Sequence, residues 1–137
     1  MTVLLVDAAN VVGSRPDGWW RDRAGAATRL LARLAALPGR SLPGPDDGVV
    51  VCDVVVAVVE GKARDVAGPA GVRVVSAPGS GDDTIVDEAQ RLVADGADVL
   101  VVTADRGLRA RLPAGALVAG PGWLLRILDD VDAPPPA

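Results

Sequence analysis

Val3-Leu4-Leu5-Val6-Asp7-Ala8-Ala9-Asn10 is the stretch on which the fold turns. Four consecutive aliphatic residues with no polar alternation suit a strand buried on both faces, which is how strands of parallel sheets read. The run then stops at a carboxylate and, three residues later, an amide. Ligands of open parallel sheets gather beyond the carboxyl ends of the strands, so Asp7 and Asn10 stand where chemistry is expected.

The same grammar continues along the chain. Val49 to Val59 is a second strand region interrupted by Asp53, and its regular buried part is expected from Val54, because an unpaired carboxylate inside a parallel sheet is costly. The role of the residues before Asp53 stays open. Val72 to Ser76, Val99 to Thr103 and Leu117 to Ala119 read as third, fourth and fifth strands. Arg23 to Leu37 places Ala26, Leu30, Leu34 and Leu37 at helical spacing before Pro38-Gly39 ends it. A second helix is expected from Asp82 to Asp95, with Ile85, Ala89, Leu92 and Val93 on one face. A short one follows over Arg106 to Leu112. The closing helix should begin near Pro121 and run through Trp123, Leu124 and Ile127 to about Leu128. Ser41 to Gly48, with two prolines, is expected to be a loop. Strands alternating with helices imply an α/β fold, a mainly parallel sheet covered on both faces. One domain is expected over residues 1–130, with a disordered Pro-rich tail over 131–137.

Composition narrows the chemistry. A chain of 137 residues fits a single domain, and its 50% hydrophobic content includes three tryptophans but no Phe or Tyr, so the core must be aliphatic. There is no His and only one Cys, Cys52. That excludes Ser-His-Asp and Cys-His catalysis, zinc sites built on imidazole or paired thiolates, and an intrachain disulfide. Fourteen basic against eighteen acidic residues give a net charge of −4, which is no broadly basic nucleic-acid footprint. An anionic substrate would need help, and two divalent cations would cancel that excess. No uninterrupted apolar stretch approaches the roughly 18 residues of a membrane span, and the start has no basic leader region, so a soluble cytoplasmic protein with no membrane partner is expected.

Three strand ends carry acids: Asp7 with Asn10, Asp82-Asp83 after Gly79-Ser80-Gly81, and Asp105 after Thr103-Ala104. Each has an ordinary structural reading. Asp7 and Asn10 suit a turn, Ser80 a helix cap, and Asp105 the start of a short helix. Glu60 reads as a local partner of Lys62 or Arg64. Convergence favours more than that, because a parallel sheet would bring Asp7, Asp82, Asp83 and Asp105 to one edge. Two carboxylates about 4 Å apart repel by roughly 1 kcal/mol at the dielectric of water and about 4 at an effective value of 20. Protons or cations must compensate, and oxygen-only ligands favour Mg²⁺ or Mn²⁺ over zinc. Gly79-Ser80-Gly81 lets backbone approach a substrate but lacks the Walker A and dinucleotide spacings.

Val6-Asp7-Ala8-Ala9-Asn10-Val11-Val12, Gly81-Asp82-Asp83-Thr84-Ile85 and Val102-Thr103-Ala104-Asp105-Arg106 resemble the three motif blocks of NYN domains, the PIN-like metal-dependent ribonucleases, and most of all their small bacterial YacP-like branch. The resemblance runs from Val3 to about Leu128. It implies a PIN-like three-layer α/β/α sandwich, with Asp7, Asp82, Asp83 and Asp105 as metal-site and catalytic acids and Asn10 as a polar partner at the same mouth. Two departures stand out: Ala9 occupies a position where relatives often have Gly, and Arg109 one where many carry a further acid. The latter bears on whether one or two metals bind.

The implied reaction is hydrolysis of RNA phosphodiester bonds, the metal lowering the pKa of an attacking water. Asp7 and Asp83 are assigned to direct metal contact, Asp82 and Asp105 to direct or water-mediated contact, and Asn10 to positioning a water or phosphate. Thr103 is a partner for a carboxylate or a phosphate. Arg15, Arg21 and Arg23 after the first block, and Arg106, Arg109 and Arg111 after the last, either meet phosphates or balance surface acids. Of Trp19 and Trp20, one is available as a stacking platform for a base of single-stranded RNA, or else one fills the core while the other covers a loop. Trp123 is assigned to packing. A catalytically silent module that binds RNA or protein is the alternative. Aspartyl-phosphate phosphatases and receivers fit worse, since Asp7 lacks a D-x-D partner and Lys62 is the only lysine.

Overall fold

In the computed structural model, which describes residues 1–132, Val3 to Val6 are buried in the central strand of a five-stranded parallel sheet. The chain runs β1 (Thr2–Asp7), α1 (Ala8–Val12), α2 (Arg23–Leu34), β2 (Arg40–Pro43), β3 (Val49–Cys52), β4 (Val54–Val59) and β5 (Val72–Ser76). It continues as α3 (Gly81–Ala94), β6 (Asp98–Val102), α4 (Arg106–Arg111), β7 (Leu117–Ala119) and α5 (Pro121–Asp132). The main sheet has the order β5-β4-β1-β6-β7, every neighbouring pair parallel. This is the expected α/β architecture, with helices on both faces.

Alternate residues of each strand serve the two faces, as the two-residue period of a strand requires. Leu4, Val6, Val55, Ala57, Leu100 and Val102 pack with Leu30, Leu31 and Leu34 of α2 and Leu124 and Leu128 of α5. Val3, Leu5, Val56, Val58, Val99 and Val101 pack with Ile85, Ala89 and Leu92 of α3 and Leu108 of α4. Two aliphatic layers therefore enclose the sheet without Phe or Tyr.

Asp53 ends the preceding run for a visible reason. Its carboxylate accepts the Thr2 amide at 2.8 Å, and its own amide donates to the Thr2 carbonyl at 3.1 Å. Val49 to Cys52 thus leave the main sheet and pair antiparallel with β2, Arg40 opposite Cys52 and Pro43 opposite Val49. The loop expected over Ser41 to Gly48 is in part this strand. Leu42 and Cys52 bury their side chains in the core, and the Gly44 amide closes the turn on the Gly48 carbonyl at 2.7 Å. Prolines are tolerated there because a two-stranded ribbon is all edge.

Three further boundaries differ from expectation. Helix α1 begins directly after Asp7, where a turn was expected. Helix α2 stops at Leu34, although Leu37 remains buried in the core. Helix α5 runs past Leu128 to Asp132, so the domain boundary expected at residue 130 falls inside it. The added turn is held by Arg33, whose guanidinium donates to Asp129 at 2.8 Å and to Asp132 at 2.7 Å. The rest of the expected tail, 133–137, lies outside the described residues. Among the described residues no helix is long and apolar enough to cross a membrane.

Candidate active site

From β1 the chain fills one side of the sheet with β4 and β5, then crosses to the other side as β6 and β7. The carboxyl ends of β1 and β6 therefore flank the point where strand order reverses, the usual place for a ligand crevice. Asp7 and Thr103 meet there. The Thr103 hydroxyl donates to Asp7 Oδ2 at 2.9 Å, and the two residues are 0% and 5% exposed respectively. Thr103 Oγ1 also accepts the Asp105 amide at 3.2 Å, and Asn10 Oδ1 accepts the Ala104 amide at 2.8 Å. Two motifs more than ninety residues apart are thereby laced into one rim. Asp105 caps α4 through the Leu108 amide at 3.0 Å.

The third motif approaches from α3. Ser80 Oγ accepts the Asp82 amide at 3.3 Å, and the Glu60 carboxylate, at the end of β4, accepts the Gly81 amide. Glu60 thus joins the acidic edge and does not serve as the local partner of Lys62 or Arg64. Its partner lies on another element, which the nearby basic residues concealed; the readable signal was its place at a strand end beside β1.

The electrostatics identify which acids sense one another. Burial pushes the Asp7 carboxyl up to about 6; bonds from Thr103 and the Asn10 amide oppose this, while the charges of Glu60 and Asp82 reinforce it. Asp82 is raised as well, by burial first and then by the charges of Asp105, Glu60 and Asp83, with Arg111 opposing. The charges of Glu60, Asp82, Asp83 and Asp105 thus bear on the two raised carboxyls, Asp7 and Asp82. Asp83, whose charge also raises Asp82, has a side chain that is 77% exposed and bound to Arg111 at 2.6 Å. Among the described residues no three acidic or thiol side chains are placed to hold a metal ion together.

Compared with solved structures, the chain resembles the crystal structure of a variant of Rae1 (YacP) from Bacillus subtilis, with a TM-score of 0.68 at 22% identity, over 96% of this chain and 77% of that one. The fold is YacP-like. No family model matches the sequence, nor does any curated protein at a significant level.

Within this YacP-like frame the expected substrate contacts separate. Thr103 is enclosed, with its hydroxyl engaged both as donor and as acceptor, so it orients Asp7 and does not reach a phosphate. Arg15 turns away to α5, bound to Asp129 at 2.9 Å. Arg106 is exposed at the first position of α4, next to Asp105. Beyond Glu60 the edge opens into a cavity of about 360 Å³ lined by Ala8, Ala9, Val12, Trp19 and Arg23 among others. Trp19 is half-buried in its wall and Trp20 is 51% exposed, the rings meeting edge-to-face at 5.9 Å. Trp123 packs against the core as expected, and its indole N–H also donates to the Pro43 carbonyl at 3.0 Å.

Proposed function

We propose that this chain is a Mg²⁺- or Mn²⁺-dependent ribonuclease that hydrolyses phosphodiester bonds of single-stranded RNA at the edge formed by Asp7, Glu60, Asp82 and Asp105. The observation that carries the reading is the burial of Asp7 at the reversal point of the sheet, bonded to Thr103, with its carboxyl and that of Asp82 raised beside the other acids of the edge. Like charges are collected there at a cost that a cation would relieve. The YacP-like fold agrees with the NYN and PIN-like resemblance of the three motifs.

The donor set is oxygen only, which suits Mg²⁺, an ion that keeps several waters and takes one or two carboxylates plus substrate phosphate. Asp7 and Asp82 would hold it directly, with Glu60 and Asp105 acting through water. When bound, the ion neutralises phosphate charge and lowers the pKa of the water that attacks phosphorus. The chain supplies the orientation. Thr103 fixes Asp7, and Asn10 ties the rim of β6 to β1 while leaving its NH₂ group to donate to a phosphate oxygen. Arg106 offers a guanidinium to a neighbouring phosphate.

The test is cleavage of a labelled single-stranded RNA by the purified chain with Mg²⁺ or Mn²⁺, then with EDTA. Cleavage that EDTA and Asp82→Asn both abolish is the expected result. Absence of cleavage across several RNAs with either ion would overturn it and leave a silent binding module.

A further inference from the structure

The cavity beside the acidic edge has a composition that the hydrolytic reading does not use. Its floor is aliphatic, from Ala8, Ala9 and Val12 of α1, and one wall is the Trp19 ring. The Arg23 guanidinium stands 5.5 Å from the centre of that ring and also lines the cavity. Glu60 is common to the cavity and to the acidic edge. At about 360 Å³ the cavity sits near the small end of ligand pockets, which run from about 300 to 1,000 Å³, so it suits one planar group and no duplex.

The segment that carries Trp19 and Arg23 is rich in arginine. Residues 15–33 contain five arginines against two aspartates, although the whole protein carries −4. Asp129 holds Arg15 and Arg33. Arg21, Arg23 and Arg29, with Asp17 and Asp22, are the charges of this stretch outside ion pairs among the described residues, and of these Arg23 alone lines the cavity. Trp19 is also kept in place. Trp20 meets it edge-on, and a side chain at Gly13 would reach its ring at 3.8 Å, so the ring lies close over the end of α1.

We propose that Trp19 and Arg23 form a subsite for one unpaired nucleobase of an RNA strand whose neighbouring phosphate lies at the acidic edge. Bases without a pairing partner stack on indole rings and on guanidinium planes, and an apolar floor excludes the water that would otherwise solvate the base face. Because the cavity shares Glu60 with the acids, a base seated in it sets which phosphate faces Asp7 and Asp82. The subsite rests on the ribonuclease reading for its ligand, and it adds a nucleotide register to it.

Binding of a fluorescein-labelled single-stranded RNA is measured by anisotropy with Mg²⁺, in the Asp82→Asn background so that the strand stays intact. Adding Trp19→Ala should weaken binding about fivefold to 150-fold, the range for loss of one stacked base. Trp19→Phe should restore most of it. A series of RNAs with one abasic site each, used with unaltered Trp19, should reveal one position whose loss weakens binding similarly and adds nothing in Trp19→Ala. This arm holds even if Trp19→Ala unfolds. Tolerance of every abasic position, or binding indifferent to Trp19 in a folded variant, overturns the subsite and leaves the nuclease reading standing. Trp19-dependent binding by a chain that never cleaves RNA supports the subsite and defeats the nuclease reading. Failure to bind any RNA defeats both.

Discussion

A carboxylate buried at the end of a strand reports its environment through stability. Asp7 is shifted from 3.8 to about 6, so between those values the folded chain holds a proton that the unfolded chain has released. The difference in bound protons, unfolded minus folded, is negative there, and stability must fall as pH rises through that window. Two pH units correspond to about 3 kcal/mol. In EDTA, urea unfolding of the wild type should therefore show a decline from about pH 4 to pH 7, and Asp7→Asn should remove most of it. At pH 8 the variant should be the more stable protein while lacking activity; a variant less stable than wild type would refute the account. Asp82 and Asp83 offer a second contrast. Asp82→Asn should lower kcat about a hundredfold or more, as when a group that stabilises transition-state charge is lost. Asp83→Asn, which removes an exposed partner of Arg111, should stay within about tenfold. Equal losses in the two variants would place Asp83 at the metal site alongside Asp82. Asp7, Asn10, Asp82 and Asp105 were legible because strand ends are legible. Thr103 left two readings open until its burial decided between them. Glu60 was hidden because Lys62 and Arg64 supplied a plausible local partner, whereas its partner, Gly81, is twenty-one residues away.

At the scale of elements, regular periodicity was readable and compensated irregularity was not. Strand β5 was expected and found over the same residues, since three valines among five positions favour a strand. The ribbon of β2 and β3 was obscured by Pro43 and Pro45, whose turn-forming habit is real but does not forbid an edge strand. The length of α5 depended on an interaction that no local pattern announces. Arg33, on α2, binds Asp129 and Asp132, and Arg15 binds Asp129 as well, so one acidic helix end is clamped by two separate segments. Exposed pairs of this kind contribute about 0.2 to 1 kcal/mol each and are screened by salt. Arg33→Met, which keeps the apolar stem, should lower stability by about 1 kcal/mol at low ionic strength and by less at 1 M NaCl. Hydrogen exchange should quicken at the last turn of α5 and not at β1. Uniform acceleration through the sheet would mean that Arg33 supports the core and not the helix end.

For the whole molecule, the topology explains why acids far apart in sequence are tolerated together. Residues 7, 60, 82 and 105 lie at the ends of β1 and β4, at the start of α3 and after β6, and a parallel sheet carries all four to one edge. That much followed from the order of strands and helices. The grouping within the edge did not, because it depends on bonds such as Thr103 to Asp7 and Arg111 to Asp83 that only the packed chain defines. If this edge is a cation site, the metal must bind the folded chain better than the unfolded one, and linkage then raises stability by RT ln(1 + [M]/Kd). At a hundred times Kd this is about 2.7 kcal/mol, and in a domain of this size each kcal/mol moves Tm by roughly 4 °C. Saturating Mn²⁺ or Mg²⁺ should thus raise the wild-type Tm by about 10 °C at pH 8. The gain should shrink below pH 6, where Asp7 holds its proton and competes with the ion. Asp7→Asn and Asp82→Asn should abolish the gain, and Asp83→Asn should retain it. A wild-type Tm indifferent to both ions at pH 8 would show that burial and hydrogen bonds alone sustain the acidic edge, and would remove the metal from the proposed chemistry without disturbing the fold.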